Sequence, residues 1–161
     1  MNERVAEVYS LLVPLAEGRL LVPRTCVAEV IGYQLPTQVL GTPPWYLGRI
    51  NWNNNPLPLV SFEGACGLPL PLPSPRARIV VFHTLGERLE IGNYALLAQG
   101  FPQLVRVSAD MLRADLAYVR NERAPVLCRV RMLKESPLVP DLEQLEAMIA
   151  DETSVRSRLA D

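Results

Sequence analysis

Short apolar runs, broken by Gly, Pro and Asn, take the place of long helical periodicity along this chain until Pro140. A helix that packs on a core needs apolar residues at three- and four-residue spacing for ten positions or more, whereas a strand needs only four to eight residues between turn signals. The chain is therefore restricted to a mostly β fold.

The strand pattern can be followed along the sequence. Residues 9–15 read as a strand, Glu17-Gly18 as its turn and 19–22 as the returning strand, which Pro23 ends. Residues 27–31 are short and partly β-branched and form a third strand ahead of Gly32. Pro43-Pro44 extends the backbone, residues 45–47 turn, and 47–52 form a strand running into Asn53-Asn54-Asn55. Asparagine tolerates left-handed backbone, so this triplet is a tight turn into a strand over 57–62. Five strands in the first sixty or so residues are enough for one small barrel.

Residues 67–75, GLPLPLPSP, hold four of the 15 prolines and cannot form a regular ladder. They read as a crossing loop between two sub-barrels. A polyproline ligand is the sharper alternative, but leucine and proline alternate with period two, which does not match PxxP. Strands over 78–82, 88–91, 94–97, 103–107, 116–119 and 125–130 then repeat the theme. Gly86 and Asn121-Glu122 supply turns, and Ser108 to Asp110 offers a cap for one helical turn at Met111. Past Pro140, Asp141 caps a helix with Gln144 three residues on. Its apolar stripe is Leu142, Leu145, Met148 and Ile149, which reads as packing on its own domain. The helix is expected over 140–150, with 151–161 a frayed tail.

Composition narrows the function. At 161 residues and 49% hydrophobic, the chain can close a substantial core. Its 16 basic and 17 acidic side chains give a net charge of −1, which provides no one-signed field for a nucleic-acid backbone or an anionic membrane. The rival reading, a small β-barrel RNA-binding or unrelated protein-interaction module, would need a basic face interleaved with aromatics. Arg76, Arg78, Arg120, Arg123, Arg129 and Arg131 could cluster, yet few aromatics accompany them, and a solvated surface is the plainer reading. The N-terminal residues carry charge where a signal peptide would be apolar, and no apolar run reaches the ~20 residues of a membrane-spanning helix. A cytoplasmic protein is expected.

Chemistry has few candidates. Cys26, Cys66 and Cys128 are widely spaced, without a CxxC, and His83 is the single histidine, a poor set for a tetrahedral metal site. The thiols read as two in the core and one in a loop, in a reducing compartment. His83 with a cysteine nucleophile is the one catalytic pairing available, and no sequence neighbour orients that histidine. P-loop, dinucleotide, GxSxG and HExxH patterns are missing from the sequence. No enzyme activity and no cofactor are expected. Trp45, Trp52 and Phe101 read as core.

Three words in order, VAEVIG at 27–32, TPPWYLGRINW at 42–52 and PLPLV at 56–60, resemble the first half of a CheW-like domain, the adaptor module of bacterial chemosensory arrays. The resemblance covers about 9–150. It implies two small five-stranded barrels with a shared interior, placed at about 9–66 and 76–131 with the N-terminal strand shared between them. It also implies a non-enzymatic adaptor that couples a chemoreceptor tip to a CheA-type histidine kinase. Val27 and Glu29 match the family's receptor-facing hydrophobic and glutamate positions, and Gly48 and Asn51 match its GxxNxRG word. The family's arginine and glycine are Asn53 and Asn54 here, and the acidic residue that often follows PLPLV is Ser61. Because that arginine commonly pairs with the glutamate, Arg49 is the expected substitute partner for Glu29, and Val27, Glu29, Gly48, Arg49, Asn51 and Asn53 form the expected partner-binding set. An aspartate of the second barrel is also replaced, within Leu97 to Phe101. These losses resemble an accessory, divergent paralogue of the pilus-type clusters that regulate twitching motility.

Overall fold

The computed structural model describes residues 7–132 and 134–160. Among these residues eleven strands form two sheets. They are β1 (Glu7–Pro14), β2 (Arg19–Pro23), β3 (Val27–Gly32), β4 (Tyr46–Trp52), β5 (Asn55–Val60), β6 (Arg78–His83), β7 (Asn93–Ala98), β8 (Gln103–Ser108), β9 (Arg113–Ala114), β10 (Val126–Arg131) and β11 (Leu138–Pro140). Two helices join them, α1 (Phe62–Ala65) and α2 (Leu142–Ala160). One sheet has the order β3-β6-β7-β5-β4 and the other β8-β1-β2-β11-β10-β9.

The centre of the first sheet follows directly from its residues. Along β6 and β7 almost every side chain is apolar, so both faces can be buried. Ile79, Val81, Ala95 and Leu97 face inward on Ile50, Leu57 and Leu59, the interior around which this sheet coils. Val80, Phe82, Tyr94 and Leu96 face the opposite way. There they meet Val13, Leu20 and Val22 from the second sheet and Leu142, Leu145 and Ile149 from α2. A third, smaller cluster of Leu12, Leu21, Val107 and Val130 lies on the other side of the second sheet. Two sheet interiors thus flank one larger shared core, and the stripe of α2 belongs to that core.

The mostly β fold with a C-terminal helix stands as expected, but its two halves are assembled differently. The boundary does not fall at the proline-rich loop. Residues 27–98 build the five-stranded sheet, while β1 and β2 leave that stretch to join β8–β11 in a sheet of six. The reason is pairing: β1 lies between β2 and β8, with Leu11 opposite both Val22 and Leu104.

Five local expectations are also corrected. Phe62 does not end a strand, because the Ser61 hydroxyl accepts the Gly64 N–H at 3.1 Å and starts α1. Residues 88–91 form no strand. Leu89 turns into the shared core, Arg88 donates to the Glu143 carbonyl, and Glu146 accepts the Leu85 N–H, so this loop is held by α2 and not by a ladder. Residues 116–119 are a turn, made by Asp115, whose side chain accepts the Ala117 N–H and whose carbonyl accepts the Tyr118 N–H. Leu116 and Val119 are left almost fully exposed. Helix α2 starts where expected, with the Asp141 carboxylate accepting the Gln144 N–H at 3.1 Å. It then continues to Ala160 instead of stopping at 150, since no Gly or Pro lies between. The single turn at Ala109–Met111 forms without a side-chain cap from Ser108.

Candidate partner-binding face

β3 and β4 are the two edges of the five-stranded sheet, and the loop after β3 bridges to β4. Past Gly32 the chain turns along β4, and Thr37 exchanges both backbone hydrogen bonds with Arg49, each 2.9 Å. Beside them, the Gln34 amide acts as a surrogate peptide group. Its Nε2 donates to the Asn51 carbonyl at 3.1 Å and its Oε1 accepts the Asn51 N–H at 3.3 Å. Gly48 makes this seam possible. Its φ is +141°, and a Cβ there would lie 2.4 Å from the Thr37 carbonyl oxygen. Gly48 is buried beneath that carbonyl, so its part in the face is to let the backbone close.

Glu29 lies on this seam and is exposed. A bulge between Val27 and Glu29 breaks the register of β3 against β6, at Phe82 and Val81. Val27 packs half-buried on the shared core. The partner of Glu29 is Trp52, whose indole Nε1–H donates to Oε2 at 2.7 Å. Arg49 does not take that role. In β4 the alternating pleat puts Ile50 and Trp52 on the inward side with the sheet interior, while Arg49 and Asn51 point outward, away from Glu29. Among the described residues no ion pair involves Glu29 or Arg49.

Asn53 and Asn54 have φ of +49° and +64° and form the two-residue turn between Trp52 and Asn55, which pair across the hairpin. The asparagines expected to tolerate left-handed backbone therefore do so. Trp52, read from the sequence as a core aromatic, is half-buried and polar-handed: its ring packs against the interior of the five-stranded sheet while its N–H bonds an exposed carboxylate. Next to this seam, Leu35 and Leu40 are exposed at 85% and 88% on the loop that joins β3 to β4. An open cleft of about 690 Å³ runs between that loop and the Arg49, Asn51 and Asn54 side of β4. Exposed leucines beside an exposed carboxylate are what a protein partner can use. The sequence carried one clue to Trp52: a tryptophan immediately precedes the position where a cation is missing.

Elsewhere, Phe101 is 68% exposed, against the expectation of core, because the chain between β7 and β8 turns it outward. His83 ends β6 and is exposed. The three cysteines are free and half-buried. Burial, with the Glu63 carboxylate second, pushes the Cys66 thiol up to about 12, and burial with Glu146 raises Cys26. No helix is long and apolar enough to cross a membrane among the described residues.

Two coiled sheets around a shared core, with a charged and apolar face on one sheet seam, define a β-sheet interaction domain. A family model described as CheW-like domain matches residues 10–148, and the chain belongs to that family. Members of the family are non-enzymatic adaptors of chemotaxis signalling, so the chain is an adaptor and not an enzyme. Its fold is similar to the crystal structure of the scaffolding protein TtCheW from Thermoanaerobacter tengcongensis, with a TM-score of 0.71 and 16% identity, over 88% of this chain and 89% of that one. No curated protein matches the sequence.

Proposed function

We propose that the chain is a cytoplasmic coupling adaptor that binds both a chemoreceptor tip and a CheA-type histidine kinase, and so is recruited to membrane-associated receptor arrays. The observation that carries this reading is Glu29, exposed on the β3–β4 seam and held in place by Trp52. The indole N–H is a neutral donor, so it fixes the carboxylate without neutralising it and leaves its charge for a partner's cation. Arg49, Asn51 and Asn53 ring the same seam, and Val27 and Gly48 hold its backbone beneath them. Modest contacts of this size become firm attachment when many adaptors are linked in one lattice. The departures at Asn53, Asn54 and Ser61 support the narrower reading of an accessory adaptor of a pilus-type cluster controlling twitching motility.

The test is a pull-down from the lysate of a chemosensory bacterium, with wild type beside Glu29→Lys. Wild type is expected to recover both receptor and kinase, and Glu29→Lys to lose the receptor while keeping the kinase. Recovery of neither by folded, monodisperse wild type would refute the coupling role. Unchanged twitching after deletion in a host with pilus-type clusters would refute the narrower one.

A further inference from the structure

Away from the β3–β4 seam, the proline-rich segment roofs an apolar cleft. The roof is anchored at both ends. The Leu68 N–H donates to the Glu63 carbonyl at 3.0 Å, and Ser74 binds Gln99 twice, donating its N–H to Oε1 at 2.8 Å and its hydroxyl to the carbonyl at 2.7 Å. Leu70 closes down on Gly64, where a Cβ would lie 2.5 Å from its Cδ2. Between this roof, α1 and the β1–β2 turn is a space of about 340 Å³, lined by Leu15, Phe62, Leu68 and Leu70 together with Glu63 and Cys66. That volume is in the range of small-molecule sites, which are mostly apolar with a few placed polar groups.

Glu63 is the polar group, and its setting is unusual. The residue is only 6% exposed, and its Oε2 accepts a single backbone N–H, from Ala16 at 2.9 Å. None of the ion pairs among the described residues reaches it. Buried carboxylates are normally met by a cation or by several donors, since removing the charge from water is costly.

We propose that this cleft binds a small organic ammonium, with its hydrocarbon body against Leu15, Phe62, Leu68 and Leu70 and its ammonium on the Glu63 carboxylate. The charge selects a cation and the lining selects an apolar body, so neither an inorganic cation nor a neutral hydrocarbon meets both demands.

The experiment titrates the full chain with phenethylamine and separately with 2-phenylethanol, following backbone amide shifts by NMR. Phenethylamine should move the amides of Ala16, Glu63, Leu68 and Leu70 saturably and bind about tenfold or more tighter than the alcohol, the advantage of a charge-assisted contact. Glu63→Gln should bring the two probes within about twofold of each other. Because Glu63 also holds Ala16, a second variant, Leu68→Trp, plugs the mouth from an exposed position and should weaken both probes without disturbing the fold. Equal affinity of amine and alcohol for wild type, saturable shifts confined to another surface, or no saturable shift at all would each overturn the proposal.

Discussion

Substituting Gly48 tests whether the β3–β4 seam is built as described. The added Cβ would lie 2.4 Å from the Thr37 carbonyl oxygen and 2.9 Å from its carbon, both backbone atoms that cannot swing aside like a side chain. At φ +141° any L side chain is also strained, by about 1–3 kcal/mol. Relief requires the loop at Thr37 to move off Arg49, losing the two hydrogen bonds that join them, at about 1 kcal/mol each. Gly48→Ala should therefore cost ~3–5 kcal/mol. For a domain of this size that corresponds to a fall in Tm of roughly 6–20 °C. Urea unfolding followed by tryptophan fluorescence measures the total, and amide hydrogen exchange locates it, with Thr37 and Arg49 expected to lose protection first. A loss under about 1 kcal/mol with both amides still protected would refute the reasoning.

Three further outcomes are expected. Trp52→Phe keeps a ring on the sheet interior but removes the donor to Glu29, so stability should fall by no more than about 1.5 kcal/mol while receptor capture weakens, measured by urea midpoint and pull-down. Glu146, buried in the shared core, has its carboxyl raised, chiefly by burial, so the folded state holds its proton more tightly than the unfolded one. Stability from this group is then fullest below the unfolded value of about 4.3 and declines as pH rises through the raised folded value. Glu146→Gln lacks that decline, and its Tm relative to wild type should become more favourable between pH 4 and pH 7 by calorimetry. Cys66, pushed up to about 12, should carry a thiolate fraction of only about 10⁻⁴ at pH 8, so iodoacetamide should label it in the native protein far more slowly than in urea, read by mass spectrometry.

What could be read from the residues was whatever is decided locally. Val80, Phe82, Tyr94 and Leu96 alternate with Ile79, Val81, Ala95 and Leu97, and two apolar faces make a buried strand wherever the chain places it. Gly18, Asn53 and Asn54 occupy positive φ, so their turns follow from residue type. Strand partners are different. Residues 88–91 and 116–119 are as apolar as real strands, but whether they join a ladder depends on what competes for their backbone. The Glu146 and Glu143 groups of α2 hold the first loop and Asp115 folds the second, and neither is visible in periodicity. The division into halves was hidden for the same reason. The pairings of β1 with β8 and of β2 with β11, both distant in sequence, move the first hairpin to the second sheet.

The same distinction explains why the strand carrying Glu29 follows from the sequence while its hydrogen-bond partner, expected to be Arg49, is Trp52. The carboxylate belongs to a local word, VAEVIG, and the strand carrying it follows from that word. Its partner is decided across the seam, by which β4 side chains point inward. Because Asn53 and Asn54 form a two-residue turn, the strand's inward series ends on Trp52, and a long side chain at 53 would start from left-handed backbone instead of from the pleat. Arg49 belongs to the outward series and cannot cross to Glu29 without breaking its alternation with Ile50. An indole at 52 is therefore the donor this hairpin can deliver. It anchors the acid, packs its own ring on the interior, and supplies no positive charge. The surface left for a partner is correspondingly more acidic than one carrying a paired arginine, so if the proposed receptor docks on this face, its capture should weaken as salt rises.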